Sequence, residues 1–284
     1  MIGNIKKTQA ILDKYQLKAK KGFGQNFLID ENILKKIVNE AGPDKETGVI
    51  EIGPGIGALT ELLLESFRKV LAYEIDRNLI AVLQEELKAF NNFKVINQDF
   101  LKTDLKQDMN YFDDCKRVIV VSNLPYYITT PIILKFLEEE NPIEEFYFMI
   151  QKEVGERLVA KKGTKDYGSL SVLMDYRTDA RILFQVSRNS FLPRPQVDSV
   201  IIRLNKKKLN FGINNEFAFL KFIRNIFSQK RKTLANNLVR AYRLSKERIQ
   251  EYIKEIDLNE NIRSENLSLE QIATLYKNIF EAPN

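Results

Sequence analysis

Short apolar runs bounded by polar residues recur through the first 150 positions, and most are followed by a stretch with helical spacing. Val49–Ile52 reads as a strand and Ala58–Phe67 as a helix. Lys69–Glu74 and Leu79–Phe90 repeat the pair. Phe93–Asn97 is a third strand. Arg117–Ser122 is a fourth, with a helix over Ile128–Glu138, and Phe146–Ile150 a fifth, with a helix over Lys152–Ala160. This alternation predicts βαβ units and a mainly parallel sheet covered on both faces.

The pattern then changes. Ala180–Val186 and Asp198–Leu204 read as two strands with no helix between them, joined through Phe191-Leu192-Pro193-Arg194-Pro195, an extended and stiff connection. Such a hairpin at the end of an α/β sheet predicts an antiparallel edge strand. Beyond Lys206-Lys207-Lys208 the spacing is helical over Phe217–Phe227, Lys246–Ile256 and Leu269–Phe280, and Ser268 with Gln271 forms a capping box for the last. The predicted division is residues 1–206, an α/β domain with an N-terminal helical extension, and residues 207–284, a helical domain. No long-period repeat or low-complexity tract is present.

Composition narrows the chemistry. Of 284 residues, 44% are apolar and 29% charged, a soluble composition. No apolar run approaches the roughly 20 residues of a membrane helix, and Met1–Gln16 lacks the apolar block of a signal peptide. The single cysteine, Cys115, excludes an internal disulfide, and the expected setting is cytoplasmic. There is no histidine, which removes the commonest general base and metal ligand, so no metal site is expected. Lys and Arg number 44 against 38 acidic residues, a net charge of +6. The excess is clustered at Lys18–Lys21, Lys161-Lys162, Lys206–Lys208 and Lys230-Arg231-Lys232. These clusters fit a nucleic acid partner, or simply solvated faces.

The candidate chemistry lies at the strand ends. Glu51–Gly57 (EIGPGIG) follows a strand and opens a helix, where glycines let a ligand approach the backbone and helix N–H groups are free. Gly53, Gly55 and Ala58 also fit the dinucleotide pattern, so a dehydrogenase must be weighed. Glu51, two residues before the first glycine, argues against it: a carboxylate there repels a pyrophosphate and suits a cationic ligand, unless a lysine neutralises it. Glu74 follows Gly53 by 21 residues, where an acid accepts ribose hydroxyls. Asp76 reads as a helix cap. Asp99 ends the third strand and can accept from an adenine amino group or act as a turn residue.

Asn123-Leu124-Pro125-Tyr126 ends the fourth strand beside the same crevice. An exocyclic adenine amine is a poor nucleophile because its lone pair is delocalised. The Asn123 side-chain oxygen and the Leu124 carbonyl can hold its two N–H groups, Pro125 offers no competing N–H, and Tyr126 can stack on the base. Taken alone, the tetrapeptide also reads as an ordinary turn with a buried tyrosine.

Together these residues resemble the adenine-N6 methyltransferases that use S-adenosylmethionine (SAM). Lys21–Asp30 (KGFGQNFLID), Phe191–Ser199 (FLPRPQVDS) and Lys230–Leu234 (KRKTL) narrow the resemblance to the small-subunit ribosomal RNA adenine dimethyltransferases (KsgA type), over nearly the whole chain. The resemblance implies a Rossmann-like, seven-stranded SAM-dependent methyltransferase domain with a small helical C-terminal domain. It implies dimethylation of N6 on two adjacent adenosines in a hairpin loop near the 3′ end of 16S rRNA, in the 30S subunit, by a monomer. By motif, Asn26, Leu28, Gly53, Glu74, Asp99 and Asn123 contact SAM, with Glu51 and Gly55 beside them. Tyr126 and Phe191 stack on the base, and Lys230, Arg231 and Lys232 meet RNA. Tyr127 and Thr129, flanking the pocket, replace the Asn and Ser of many members. The competing readings are an Erm-type 23S rRNA enzyme and a non-catalytic 30S assembly factor on the same fold.

Overall fold

The structure, a computed structural model, describes residues 1–17 and 25–281. The basic run Lys18–Lys21 and the first four residues of Lys21–Asp30 lie outside the described residues. Nine strands are described: β1 (Phe27–Leu28), β2 (Thr47–Ile52), β3 (Lys69–Glu74), β4 (Phe93–Asn97), β5 (Arg117–Asn123), β6 (Glu145–Gln151), β7 (Thr178–Val186), β8 (Phe191–Leu192) and β9 (Ser199–Lys206). Seven form one sheet in the order β4-β3-β2-β5-β6-β9-β7, with β1 and β8 paired separately.

Strands β4, β3, β2, β5 and β6 run parallel. All six residues of β2 are buried, as a central parallel strand covered on both faces requires. β4, at one edge, is half-buried at best. β9 pairs antiparallel with β6, so the second strand of the late pair inserts between β6 and β7 and leaves β7 at the edge. The expected antiparallel addition is present, one strand further in than a simple hairpin would place it.

The helices alternate with these strands: α1 (Ile5–Lys14), α2 (Glu31–Glu40), α3 (Ala58–Ser66), α4 (Arg77–Glu86), α5 (Leu105–Asp108), α6 (Thr129–Glu138) and α7 (Lys152–Leu158). Asp30 caps α2 and Asp76 caps α4 through their carboxylates. Leu59, Leu63, Val82 and Leu83 of α3 and α4 join Val49 and Val70 in one apolar cluster. Phe136 of α6 packs at tilted angles against Phe100, Phe146 and Phe148. Each such fully buried side chain contributes roughly 1.5–3 kcal/mol by leaving water.

Residues 1–155 and 181–206 form one compact unit, and residues 156–180 and 207–284 a second. The division at 206/207 therefore needs a correction: residues 156–180, read as part of the α/β domain, group with the C-terminal unit. That unit contains α8 (Ser169–Arg177), α9 (Glu216–Ile226), α10 (Leu234–Tyr242), α11 (Lys246–Glu255) and α12 (Leu269–Phe280). Tyr176 of α8 meets Phe219 of α9 edge-on and donates its hydroxyl to Glu216 at 2.8 Å, which ties α8 to that unit. The capping box at Ser268 and Gln271 is formed in both directions. No helix among the described residues is long and apolar enough to cross a membrane.

Candidate active site

At the carboxyl ends of β2, β3, β4 and β5 the structure opens into a crevice. Its cause is visible in the register. β2 and β5 pair up to Ile50 and Val120. Beyond that point the Ser122 hydroxyl takes over, donating to the Ile52 carbonyl at 2.6 Å and accepting from its N–H at 3.3 Å. One buried side chain thus joins the two strand tips where direct pairing has ended.

The loop after β2 turns through Gly53 and Gly55 at positive φ, 68° and 61°, where a side chain is strained. A β-carbon on Gly53 would press on the Pro125 ring at 3.3 Å, and one on Gly55 would press on the Phe27 ring at the same distance. The Gly55 N–H donates to Glu74 Oε2 at 3.3 Å, and the Asp76 N–H to Glu74 Oε1 at 2.8 Å. A loop amide that serves a dinucleotide phosphate elsewhere is here turned toward a carboxylate. That, with Glu51 beneath it, disfavours the dehydrogenase reading.

Glu51 is 1% exposed, and its Oε2 has no hydrogen-bond partner. The considered lysine partner is absent among the described residues. Burial, reinforced by the charge on Glu74, pushes the Glu51 carboxyl up to about 8. Burial also raises Glu74 to about 7, against the pull of the backbone N–H groups it accepts. Two buried acids facing one crevice form a site short of positive charge.

Asp99 lines the crevice at the tip of β4; its Oδ1 accepts from the Leu101 N–H at 3.0 Å. Asn123 ends β5, and its Nδ2 donates to the Asn26 carbonyl at 3.5 Å. Among the described residues its Oδ1 has no such commitment. The Leu124 N–H donates to the Met149 carbonyl at 3.1 Å. The Tyr126 hydroxyl shares a 2.7 Å hydrogen bond with Ser199 Oγ on β9, and burial pushes its phenol up. Asn26, Leu28, Gly53, Gly55, Glu51, Glu74, Asp99, Asn123, Leu124, Pro125 and Tyr126 all line this one crevice.

One expectation requires correction. Phe191 does not face the crevice. It is 3% exposed and belongs to the apolar cluster, because β8 pairs antiparallel with β1, Phe191 opposite Leu28. Its ring is a core plug with no face free for a base. Thr129 flanks the crevice without lining it: it follows the lining residue Ile128 and is buried at the start of α6, with its hydroxyl on the Pro125 carbonyl at 3.2 Å. Lys230, Arg231 and Lys232 are exposed in the second unit, where the Lys230 amine donates to the Lys165 carbonyl. Ser122 and Ser199 carry no site role in the sequence reading. Gln25 donates to Asp76 at 3.1 Å. Only Ser122 carried a signal, as the polar residue that ends a β-branched run. Among the described residues, no group of three or more His, Cys, Asp or Glu could hold a metal ion.

Comparison with known proteins agrees with this geometry. The family model for ribosomal RNA adenine dimethylases matches residues 16–281. Ribosomal RNA small subunit methyltransferase A of Bacillus cereus (strain B4264) is 47% identical over 274 residues, 95% of this chain and 94% of that protein. The protein of the same name from Staphylococcus carnosus (strain TM300) is 43% identical over 282 residues, 98% of this chain and 95% of that one. The crystal structure of a dimethyladenosine transferase from Plasmodium falciparum matches with a TM-score of 0.74 at 27% identity, covering 89% of this chain and 96% of that chain. The 23S rRNA methyltransferase ErmE matches at 0.65 and 26% identity, covering 89% and 98%. With its crevice of acids beside Asn123–Tyr126 and a match over residues 16–281, the chain belongs to the ribosomal RNA adenine dimethylase family.

Proposed function

We propose that this chain dimethylates N6 of two adjacent adenosines in the hairpin loop near the 3′ end of 16S rRNA, within the immature 30S subunit. It would act in the cytoplasm as a monomer. The observation that carries the reading is Asn123, which lines the acid-lined crevice and whose amide nitrogen donates to the Asn26 carbonyl at 3.5 Å. The names of the 43–47% identical relatives support the small-subunit substrate.

The residues present fit SAM, the methyl donor, which supplies a methyl group activated by its sulfonium. The orphaned Glu51 oxygen suits the cationic methionine end. The Glu74 carboxylate, held by backbone N–H groups, stands where it can accept ribose hydroxyls. Asp99 has a second oxygen for the adenine amine. Gly53 and Gly55 let the cofactor lie against backbone, and Asn26 and Leu28 form the near wall.

On the target side, Asn123 Oδ1 and the Leu124 carbonyl accept the two N–H groups of the adenosine amine. This holds the amine in place and turns its lone pair out of conjugation. Tyr126, its hydroxyl held by Ser199, presents its ring to the extruded base. Once methylated, the nitrogen is a strong acid that releases its proton to water, so no imidazole is needed. Lys230, Arg231 and Lys232 would neutralise phosphates.

The test is labelled methyl transfer from SAM to 30S particles lacking the modification, with free 23S RNA alongside and products digested to nucleosides. Dimethyladenosine from 30S alone is expected. Label in 23S RNA alone would transfer the assignment to the Erm-type activity. Intact 30S binding with no label in either would leave an assembly factor.

A further inference from the structure

Asn237 is the polar exception on the buried face of α10. It is 2% exposed, in company with Leu234, Ala235 and Leu238, and its Oδ1 has no hydrogen-bond partner among the described residues. An apolar side chain of similar size would fill the place without leaving an acceptor unpaired, so packing alone does not account for the amide.

The amide nitrogen does. Nδ2 donates to the Ile226 carbonyl at 2.7 Å and to the Gln229 carbonyl at 3.2 Å. Ile226 is the last residue of α9, where helix carbonyls lack an intrahelical partner. Ser264 Oγ donates to the same carbonyl at 2.5 Å. Gln229 opens the turn that carries the basic triplet. Its carbonyl also accepts from the Lys232 N–H at 3.1 Å, so Lys230, Arg231 and Lys232 are the second, third and fourth residues of that turn. Thr233 follows and caps α10 by accepting from the Asn236 N–H, and the Leu234 N–H donates to the Ile262 carbonyl at 2.8 Å. One buried side chain therefore joins the end of α9, the turn and the first turns of α10. Three adjacent cations repel one another, and a free loop would spread them. Here the backbone beneath them is tied while the three residues themselves stay exposed.

We propose that Asn237, backed by Ser264, is a positioning residue for the RNA substrate: it holds the Gln229–Lys232 turn in the shape that presents the triplet to phosphates. This rests on the reading of that triplet as an RNA contact. A turn set in advance has less freedom to lose on binding. The amide therefore acts on affinity for the 30S particle, with no part in cofactor binding or in the methyl-transfer step.

The test is a double-mutant cycle between Asn237→Ala and the variant with Lys230, Arg231 and Lys232 all replaced by alanine. It is read as KM and Kd for 30S particles lacking the modification, at a temperature where circular dichroism shows every variant folded. With the triplet present, Asn237→Ala should weaken 30S binding roughly tenfold and lower the slope of log affinity against log salt by about 1. The kcat at saturating 30S and the S-adenosylhomocysteine affinity should stay at the parent values. With the triplet removed, the same substitution should cost less than about twofold. Parent 30S affinity in Asn237→Ala, with only a lowered unfolding midpoint, would overturn the inference and leave the amide a part of the fold alone. An equal loss in both backgrounds would overturn it too, since the amide would then act elsewhere than through the turn. Should Asn237→Ala not fold, Ser264→Ala decides: it should show the same dependence on the triplet, about threefold in size, and parent affinity there would overturn the inference. Parent 30S affinity in the triple-alanine variant would remove the RNA reading of the triplet itself, and this inference with it.

Discussion

Replacing Glu51 by glutamine keeps the shape of a buried side chain and removes its charge. The carboxyl is 1% exposed with an orphaned oxygen, and burial raises it from an ordinary 4.5 to about 8. The sign follows from proton counts. Between those two values the folded chain holds a proton that the unfolded chain releases, so stability falls as pH rises through the window and is level on either side. At about 1.4 kcal/mol per pH unit the whole window amounts to about 5 kcal/mol, of which 3 to 4, roughly, falls between pH 5 and pH 8. That is a large part of the 5–15 kcal/mol or so that holds an ordinary domain together. Glu74 titrates in both proteins and is coupled to Glu51 only through their mutual repulsion, the smallest of the causes acting on Glu51, so the difference between them reports mainly Glu51.

The assay is urea unfolding of the ligand-free protein and of Glu51→Gln from pH 5 to pH 9, followed by circular dichroism. The parent should lose about 3 kcal/mol more than the variant between pH 5 and pH 8, and the variant should be the more stable at pH 8. Cofactor titration supplies the reciprocal measurement. A cationic ligand restores the ionised carboxyl, so binding at pH 7 should release most of the proton held by Glu51, seen as a dependence of the binding heat on buffer ionisation enthalpy. Glu51→Gln should lose that release and bind SAM more weakly. Equal pH slopes for the two proteins would refute the reasoning, since Glu51 would then be ionised in the free fold and paired with something the geometry does not reveal.

Three further outcomes are expected. Asn123→Ala should cut single-turnover methyl transfer on 30S by 100-fold or more, roughly the effect of removing a positioned polar group, with the unfolding transition unchanged. Glu74→Ala should weaken S-adenosylhomocysteine by a factor on the order of 100, the loss of two hydrogen bonds to a carboxylate. Calorimetry showing no change would reject the ribose assignment. Replacing Lys230, Arg231 and Lys232 by alanine should lower the slope of log affinity for 30S against log salt by up to about 2 to 3, leaving cofactor affinity intact.

The parallel strands were legible because covering on both faces demands unbroken apolar runs, as in the fully buried β2. Their polar ends were legible for the same reason: Glu74, Asp99 and Asn123 interrupt runs that packing alone would continue. What could not be read depends on pairings between distant segments. β1 and β8 have two residues each, too few for any periodicity, and their pairing decides whether the Phe191 ring faces base or core. α8 is buried on most of its faces and carries no one-sided stripe, so nothing local assigns residues 156–180 to the C-terminal unit. The crevice itself is a long-range fact, made where β2 and β5 stop pairing and Ser122 bridges the gap. That bridge also explains how a chain without histidine can handle an amine. Because the Ile52–Ser122 link fixes the two tips at a set distance, Glu51 before Gly53 and the amide of Asn123 line one crevice from different strands. On the proposed reading the site works by fixed acceptors, and no side chain of the protein must gain or lose a proton during methyl transfer.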